Sequence, residues 1–380
     1  MTTPAPRPPA SPLPWLSRTA SSRAWRVAAI AWFAVTCAAF VHLADGHPTH
    51  RARLEDRGQG DSFVTAREGY VVGVGMHSRK AWVSHEGRPP RWIDLDRPAH
   101  GAAIADGGLV AVIPYVDDRL WMLGPRENTA KPATVVMPGR TTIAAATFLS
   151  GAWYVAWYDR VHDRTRKKKF PWLIPAQMRY EFGVARFDGP ASGRKRPDAD
   201  LYRSKAIWHE ETSHPWRLVP SPDGARLYVL AAVSEELIAI AAEDGAELFR
   251  VPTPPLPADL ACVADACFVA APGSPHVAAY DARTGDALSP VPVGRGVTGI
   301  EIAGDTLYAV SKYERRLVAA KRGAHRWTIR ETDLAGVPSD LAIKGPKIVV
   351  ADAADGTRRF FETATLAPWA ERPFKPRSEP

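Results

Sequence analysis

Cysteine is scarce, with three in 380 residues. That is too few for a disulfide-dense secreted scaffold or a cysteine-rich zinc protein. A phosphate-cradling glycine loop, a G-x-S-x-G nucleophile elbow and a haem-type C-x-x-C-H are all missing. The first 26 residues contain no acid but hold Arg7, Arg18, Arg23 and Arg26, so about half of the formal charge of +8 belongs to that tail. Core-forming residues are not lacking: 46% apolar and 24% charged residues exclude wholesale disorder. Thirty-five prolines, 28 glycines and 13 tryptophans point to many turns and aromatic-packed strands rather than long helices.

Long apolar runs are absent with one exception. After a Pro-, Ser- and Arg-rich stretch over 1–24, which reads as a disordered cytoplasmic tail, Val27–Val41 carries no charge. The apolar stretch reaches Ala44 if His42 is allowed, and as a helix it spans about 27 Å, enough for a thin bilayer. Arg18, Arg23 and Arg26 precede it and no cation follows before Arg51, which leaves the amino terminus cytoplasmic. We expect a transmembrane signal-anchor helix over 25–44, a linker over 45–60 and a short tail over 375–380. A cleaved signal peptide and a buried soluble helix are the alternatives. Cleavage after Ala44 would put His42 at the −3 position, and cleavage after Ala39 would shorten the apolar core. Anchor and signal agree in placing the rest of the chain on the periplasmic or extracellular side.

From Asp61 onward one pattern recurs seven times: an alternating strand, a Gly or Asp-Gly turn, a β-branched and aromatic strand, and two further strands separated by polar turns. The period is about 40 residues, the length four short strands and their turns require. A four-stranded unit cannot bury both faces alone, so copies must pack face to face around an axis. The expected fold is all-β, a seven-bladed β-propeller of four-stranded antiparallel blades over 61–374. The blades are expected near 61–100, 101–140, 141–212, 213–256, 257–296, 297–336 and 337–374, with an insertion at 160–180 in the third. A β-sandwich, or six or eight blades, would be the competing counts.

Copies four to six carry a resemblance. Ser221-Pro-Asp-Gly-Ala-Arg-Leu-Tyr-Val229, and Tyr280-Asp-Ala-Arg-Thr-Gly285 followed by Pro292-Val-Gly294, resemble the repeat of the bacterial YVTN-type propellers, which are related to NHL and WD40-like propellers. Leu307-Tyr-Ala-Val310 and Pro338-Ser-Asp-Leu-Ala342 are weaker echoes. Copies one to three lack both turns. The resemblance implies a propeller with an extracytoplasmic habit and no particular activity.

Cys262 and Cys267 flank a hairpin turn, where four intervening residues let them face each other in an oxidising compartment; a structural disulfide is expected, with two small buried thiols as the alternative. In a propeller, the loops joining second to third strands and the loops joining blades share one face. His77, His100, His162, His214, Asp117, Asp118, Lys312, Tyr313 and Glu314 map to that face. The four histidines are weak candidates for acid–base work, with solvated loop histidines as the plain alternative. No H-x-x-x-H spacing occurs, and neither a metal nor a cofactor is expected.

The insertion holds Arg164, Arg166, Lys167, Lys168 and Lys169 directly before Phe170, Trp172, Leu173 and Ile174. It suits docking on anionic lipid or envelope polymer, an acidic partner, or simple solvation. The anchor removes nucleic acid from consideration. The reading that follows is a single-pass membrane protein whose propeller binds or scaffolds an extracytoplasmic protein or envelope polymer. The alternative is a propeller enzyme (a lactonase, lyase or quinone-dependent dehydrogenase), which would need histidines and a carboxylate converging in one pocket.

Overall fold

In the computed structural model the described residues are 61–75, 79–85, 90–115, 119–124, 131–136, 142–161, 179–188, 201–211, 214–324, 326–353 and 358–369. All of them lie within the compact unit Arg57–Pro380. The expected anchor at 25–44 therefore falls outside the described residues, among which no helix is long and apolar enough to cross a membrane.

Every described regular element is a strand, and the strands form seven sheets. Their innermost strands are Asp61–Arg67, Ala99–Ile104, Thr142–Leu149, Pro215–Pro220, Asp259–Cys262, Val297–Ala303 and Pro338–Lys344. Burial on both faces explains the residue pattern. Second strands such as Val110–Pro114 and Thr306–Ser311 are buried at every position, because a neighbouring blade covers each side, and they carry no charged residue. Fourth strands such as Ala287–Val291 and Trp327–Asp333 lose that cover, are mostly exposed and are correspondingly more polar.

Seven apolar clusters fill the seams, one between each consecutive pair of blades. The last joins Ala342, Val349 and Ala351 of blade 7 to Val64, Val71 and Trp82 of blade 1, so the ring is closed. The chain is a seven-bladed β-propeller, and the resemblance to propeller repeat proteins holds at the level of the fold. Blade 7 has three strands plus a single bridge between Phe361 and Pro368, not the four full strands expected. Among the described residues no strand from one terminus completes the other's sheet. Side chains seal the junction instead. Asp340 Oδ2 of blade 7 accepts the Val64 N–H of blade 1 at 3.1 Å. The Arg358 guanidinium lies 3.9 Å from the Trp82 ring and 4.6 Å from the Trp92 ring.

Blades 2 and 3 depart from the plain repeat. Trp153–Phe187 through Val161–Arg179 pair without interruption, so both flanks of the expected 160–180 insertion are strand, and the insertion proper, 162–178, lies outside the described residues. Further on, Leu201–Arg203 adds to blade 2 as a fifth, parallel strand against Thr134–Val136, before the chain returns to blade 3 as Lys205–Glu211.

The two signature turns work as their chemistry requires. Asp223 Oδ1 accepts the Ala225 N–H at 3.0 Å beside Gly224 at φ +73°, and Asp281 Oδ1 accepts the Arg283 and Thr284 N–H groups at 2.8 and 2.9 Å. At three seams a tyrosine on a second strand latches its blade to the next. Tyr154, Tyr228 and Tyr308 donate to the Ala242, Ala282 and Thr363 carbonyls, in the turns between the third and fourth strands of the following blades. Cys262 and Cys267, cross-strand partners at the tip of the first hairpin of blade 5, are joined by a disulfide.

Candidate functional site

A central channel of about 390 Å³ is lined by all seven innermost strands. Five of those strands begin with the same β-bulge, at Asp61/Phe63, Ala99/Gly101, Pro215/Arg217, Val297/Gly299 and Pro338/Asp340. The bulge re-aims the residue that follows it. Residues after the bulge therefore share one level near the mouth on the face of the interblade loops, where Asp259 opens the corresponding strand of blade 5.

Charge is concentrated at this level. Arg217 Nε donates to Asp259 Oδ1 at 2.7 Å, with its guanidinium 5.2 Å from the Phe63 ring and 5.5 Å from the Trp216 ring. Asp259 Oδ2 accepts the Ile300 N–H of blade 6 at 2.8 Å. Asp340 accepts the Val64 and Leu341 N–H groups at 3.1 and 2.9 Å. Gly299 makes room for it, since a Cβ there would sit 2.7 Å from Asp340 Oδ1. Glu301 lies two residues further along the same strand and also lines the channel. At the opposite end Arg67 crosses the channel wall, donating to the Ile104 and Phe148 carbonyls at 3.3 and 2.8 Å and pairing with Asp106 at 2.6 Å.

The electrostatics follow from three carboxyls near one another, of which Asp259 and Asp340 act on the Arg217 guanidinium. Burial, then the charges of Asp259 and Asp340, pushes Glu301 up to about 8. Burial and Asp259 push Asp340 up to about 8, against the opposing pull of Arg217. Burial by itself would lower Arg217, but Asp259 and Asp340 outweigh it and hold the guanidinium above its ordinary value. Glu301 and Asp340 therefore hold their protons to higher pH than ordinary carboxyls do. Chemically the cluster can hold, release and accept protons at two sites. Among the described residues no group of three or more His, Cys, Asp or Glu could hold a metal ion.

The sequence-derived candidates scatter. His100 is a strand residue rather than a loop residue: its Nε2 lies 2.9 Å from the Ala144 carbonyl of the next blade, and burial lowers its pKa. His214 packs against Tyr158, ring centroids 4.1 Å apart. Lys312 and Tyr313 sit exposed on the loop joining the second and third strands of blade 6. His77, His162, Asp117, Asp118, Arg164, Arg166, Lys167–Lys169, Phe170 and Trp172 lie outside the described residues. Sequence reasoning missed Arg217, Asp259, Glu301 and Asp340. The signal was an acid in the same register of two copies, Asp259-Leu-Ala261 and Asp340-Leu-Ala342, heading otherwise apolar strands.

The same face gathers exposed apolar side chains. Of the eight exposed large apolar residues among the described ones, Tyr115, Val233, Leu256 and Tyr313 lie on its loops, while Trp92, Leu248, Leu288 and Ile329 lie on fourth strands. None falls on the opposite loop face among the described residues. Leu256 is 74% exposed at φ +55°, with its N–H held by Glu235 Oε1 at 3.1 Å. A leucine fixed in the left-handed region and turned to solvent is a costly arrangement that packing does not explain.

No family model matches the sequence, and no curated protein matches it. Solved structures do. Hydrazine synthase of Kuenenia stuttgartiensis is similar over 81% of this chain and 96% of its own, with TM-score 0.62 and 10% identity. Virginiamycin B lyase of Staphylococcus aureus is similar over 79% and 94%, with TM-score 0.55 and 11% identity. A 6-phosphogluconolactonase-like protein of Bacteroides uniformis is similar over 79% and 88%, with TM-score 0.53 and 16% identity. At such identities the likeness is one of fold, and the fold shared with these chains is the β-propeller.

Proposed function

We propose that this protein is an extracytoplasmic binding module, tethered through its apolar segment at 25–44, whose recognition face carries the channel mouth and the rim formed by Tyr115, Val233, Leu256 and Tyr313. The observation that carries this reading is the asymmetry between the two loop faces, with exposed apolar side chains on one and none among the described residues of the other. Large apolar residues held outward on rigid loops are what a protein or polymer surface packs against. The partner is an envelope protein or polymer. The insertion bearing Arg164, Arg166 and Lys167–Lys169 adds charge attraction to an anionic surface. Site-specific photo-crosslinkers at Leu256 and Tyr313 should capture a defined partner in envelope extracts, and the same probe at Asp305 on the opposite face should not. Equal labelling from both faces would refute the assignment.

A second reading is a channel enzyme, supported by Glu301 and Asp340 holding protons near neutrality and by the lyase and lactonase-like neighbours. Glu301 would then be the acid–base group, because it makes no ion pair among the described residues. Turnover of a lactone panel by the protein, abolished in Glu301→Gln, would move the assignment to this reading.

A further inference from the structure

Three seams of the ring share one latch. In each, a second-strand tyrosine reaches the next blade's turn between its third and fourth strands. At two of them, blades 3 to 4 and 4 to 5, that turn also presses a glycine against the preceding blade. A Cβ at Gly245 would meet the Ile207 carbonyl at 1.8 Å, and one at Gly285 would meet Phe249 at 2.7 Å. The seam between blades 5 and 6 breaks both rules. Phe268 occupies the register of Tyr228, opposite Ala279 as Tyr228 is opposite Ala239, and it has no hydroxyl to donate. Leu288, opposite Ala279, stands where blade 4 has Phe249 opposite Ala239. The glycine of the blade 6 turn, Gly323, has only its own turn within reach.

The outcome is an opening of about 270 Å³ on the side of the disc, between two blades that are otherwise closely packed. Its volume is just below the roughly 300 Å³ at which small-molecule sites begin. Phe268 and Trp327 wall it edge to face, ring centroids 6.1 Å apart at 82°, with Ala266, Ala279 and Leu288 completing the apolar lining. Two cations stand at the rim. Arg322 is held by Asp265 at 2.6 Å, whereas Arg326 makes no ion pair among the described residues. Apolar walls with offset rings suit a further flat ring, and the uncompensated guanidinium suits an anionic substituent on it.

We propose that this opening between blades 5 and 6 is a binding site, separate from the central channel, for a small aromatic anion of the aryl-carboxylate class. The probe is 2-naphthoate, with neutral 2-naphthamide as its control, titrated into the purified protein by calorimetry and followed by tryptophan fluorescence. Saturable binding of naphthoate is expected. Leu288→Phe, which supplies the ring that blade 4 has at this register, should weaken both compounds at least tenfold. Arg326→Gln, an exposed change that leaves the core intact, should weaken naphthoate threefold or more and leave naphthamide unchanged. Absence of saturable binding at millimolar naphthoate would overturn the proposal. So would wild-type affinity in both variants.

Discussion

Glu301→Gln offers a sharp test of the channel electrostatics. Glu301 is held at about 8 by burial and by the charges of Asp259 and Asp340, against 4.5 for an ordinary glutamate. Across that interval the folded protein keeps a proton that the unfolded chain releases. Stability from this group is therefore complete below about pH 4.5, falls as pH rises, and is lost once pH passes about 8. At about 1.4 kcal/mol per pH unit the ceiling is about 5 kcal/mol. Water in the open channel screens part of it, so about 2 kcal/mol is the working expectation. Glutamine keeps the shape and carries no proton. Urea titrations from pH 5 to 9.5 should show the two proteins alike at pH 5 and the variant more stable by about 2 kcal/mol at pH 9. The wild type should show the steeper loss with pH. Parallel curves, or a uniform deficit in the variant, would show that Glu301 is not buried against two carboxylates and would remove the account of the cluster.

Arg217→Met removes the cation that Asp259 and Asp340 share, and should cost about 3–5 kcal/mol at neutral pH by leaving a buried carboxyl without its partner, read as a lowered urea midpoint. Tyr228→Phe loses one latch to the Ala282 carbonyl and should cost about 1 kcal/mol, read as a shifted urea midpoint with unchanged slope. Peptide mapping without reductant should recover Cys262 and Cys267 joined, and reduction should barely move stability, because the closed loop is too short to restrict the unfolded chain much. Replacing Lys167–Lys169 with glutamine should weaken binding of the protein to anionic vesicles at low salt; unchanged binding would exclude lipid docking by that insertion.

The ring was legible because burial on both faces leaves a mark on composition. Runs such as Leu227–Ala231 and Ile348–Ala351 can only be second strands sandwiched between neighbours, and their spacing of about 40 residues counts the blades. Turn chemistry was legible for the same reason that it is local: Asp223-Gly224 and Asp281 through Gly285 carry their own hydrogen bonds. The channel cluster was not local. Arg217 and Asp259 are 42 residues apart, and Asp340 and Val64 are 276 apart, so only ring geometry brings them together. Blade spacing places His100 on a loop, whereas it belongs to a strand. A bulge turns His100 into the seam with blade 3, where the Ala144 carbonyl holds it.

Ring closure and the charged cluster are one structural problem. Blade 1 brings its own four strands and blade 7 only three with a bridge, so among the described residues no exchanged strand holds the closing seam. It relies on side chains, and one of them, Asp340, is also a member of the channel cluster through its bond to the Val64 N–H. The Val64 bond persists whether Asp340 is charged or neutral, since either form accepts from an N–H, but it is stronger to the carboxylate. Protonation near neutrality therefore relaxes this tie in the seam while lowering the repulsion between Asp340 and Asp259 across the channel. The two effects oppose each other. Arg358, stacked on Trp82 and Trp92 at the outer end of the same seam, is independent of that balance because guanidinium does not titrate in this range. The inner end of the seam thus contains a titrating group and the outer end does not.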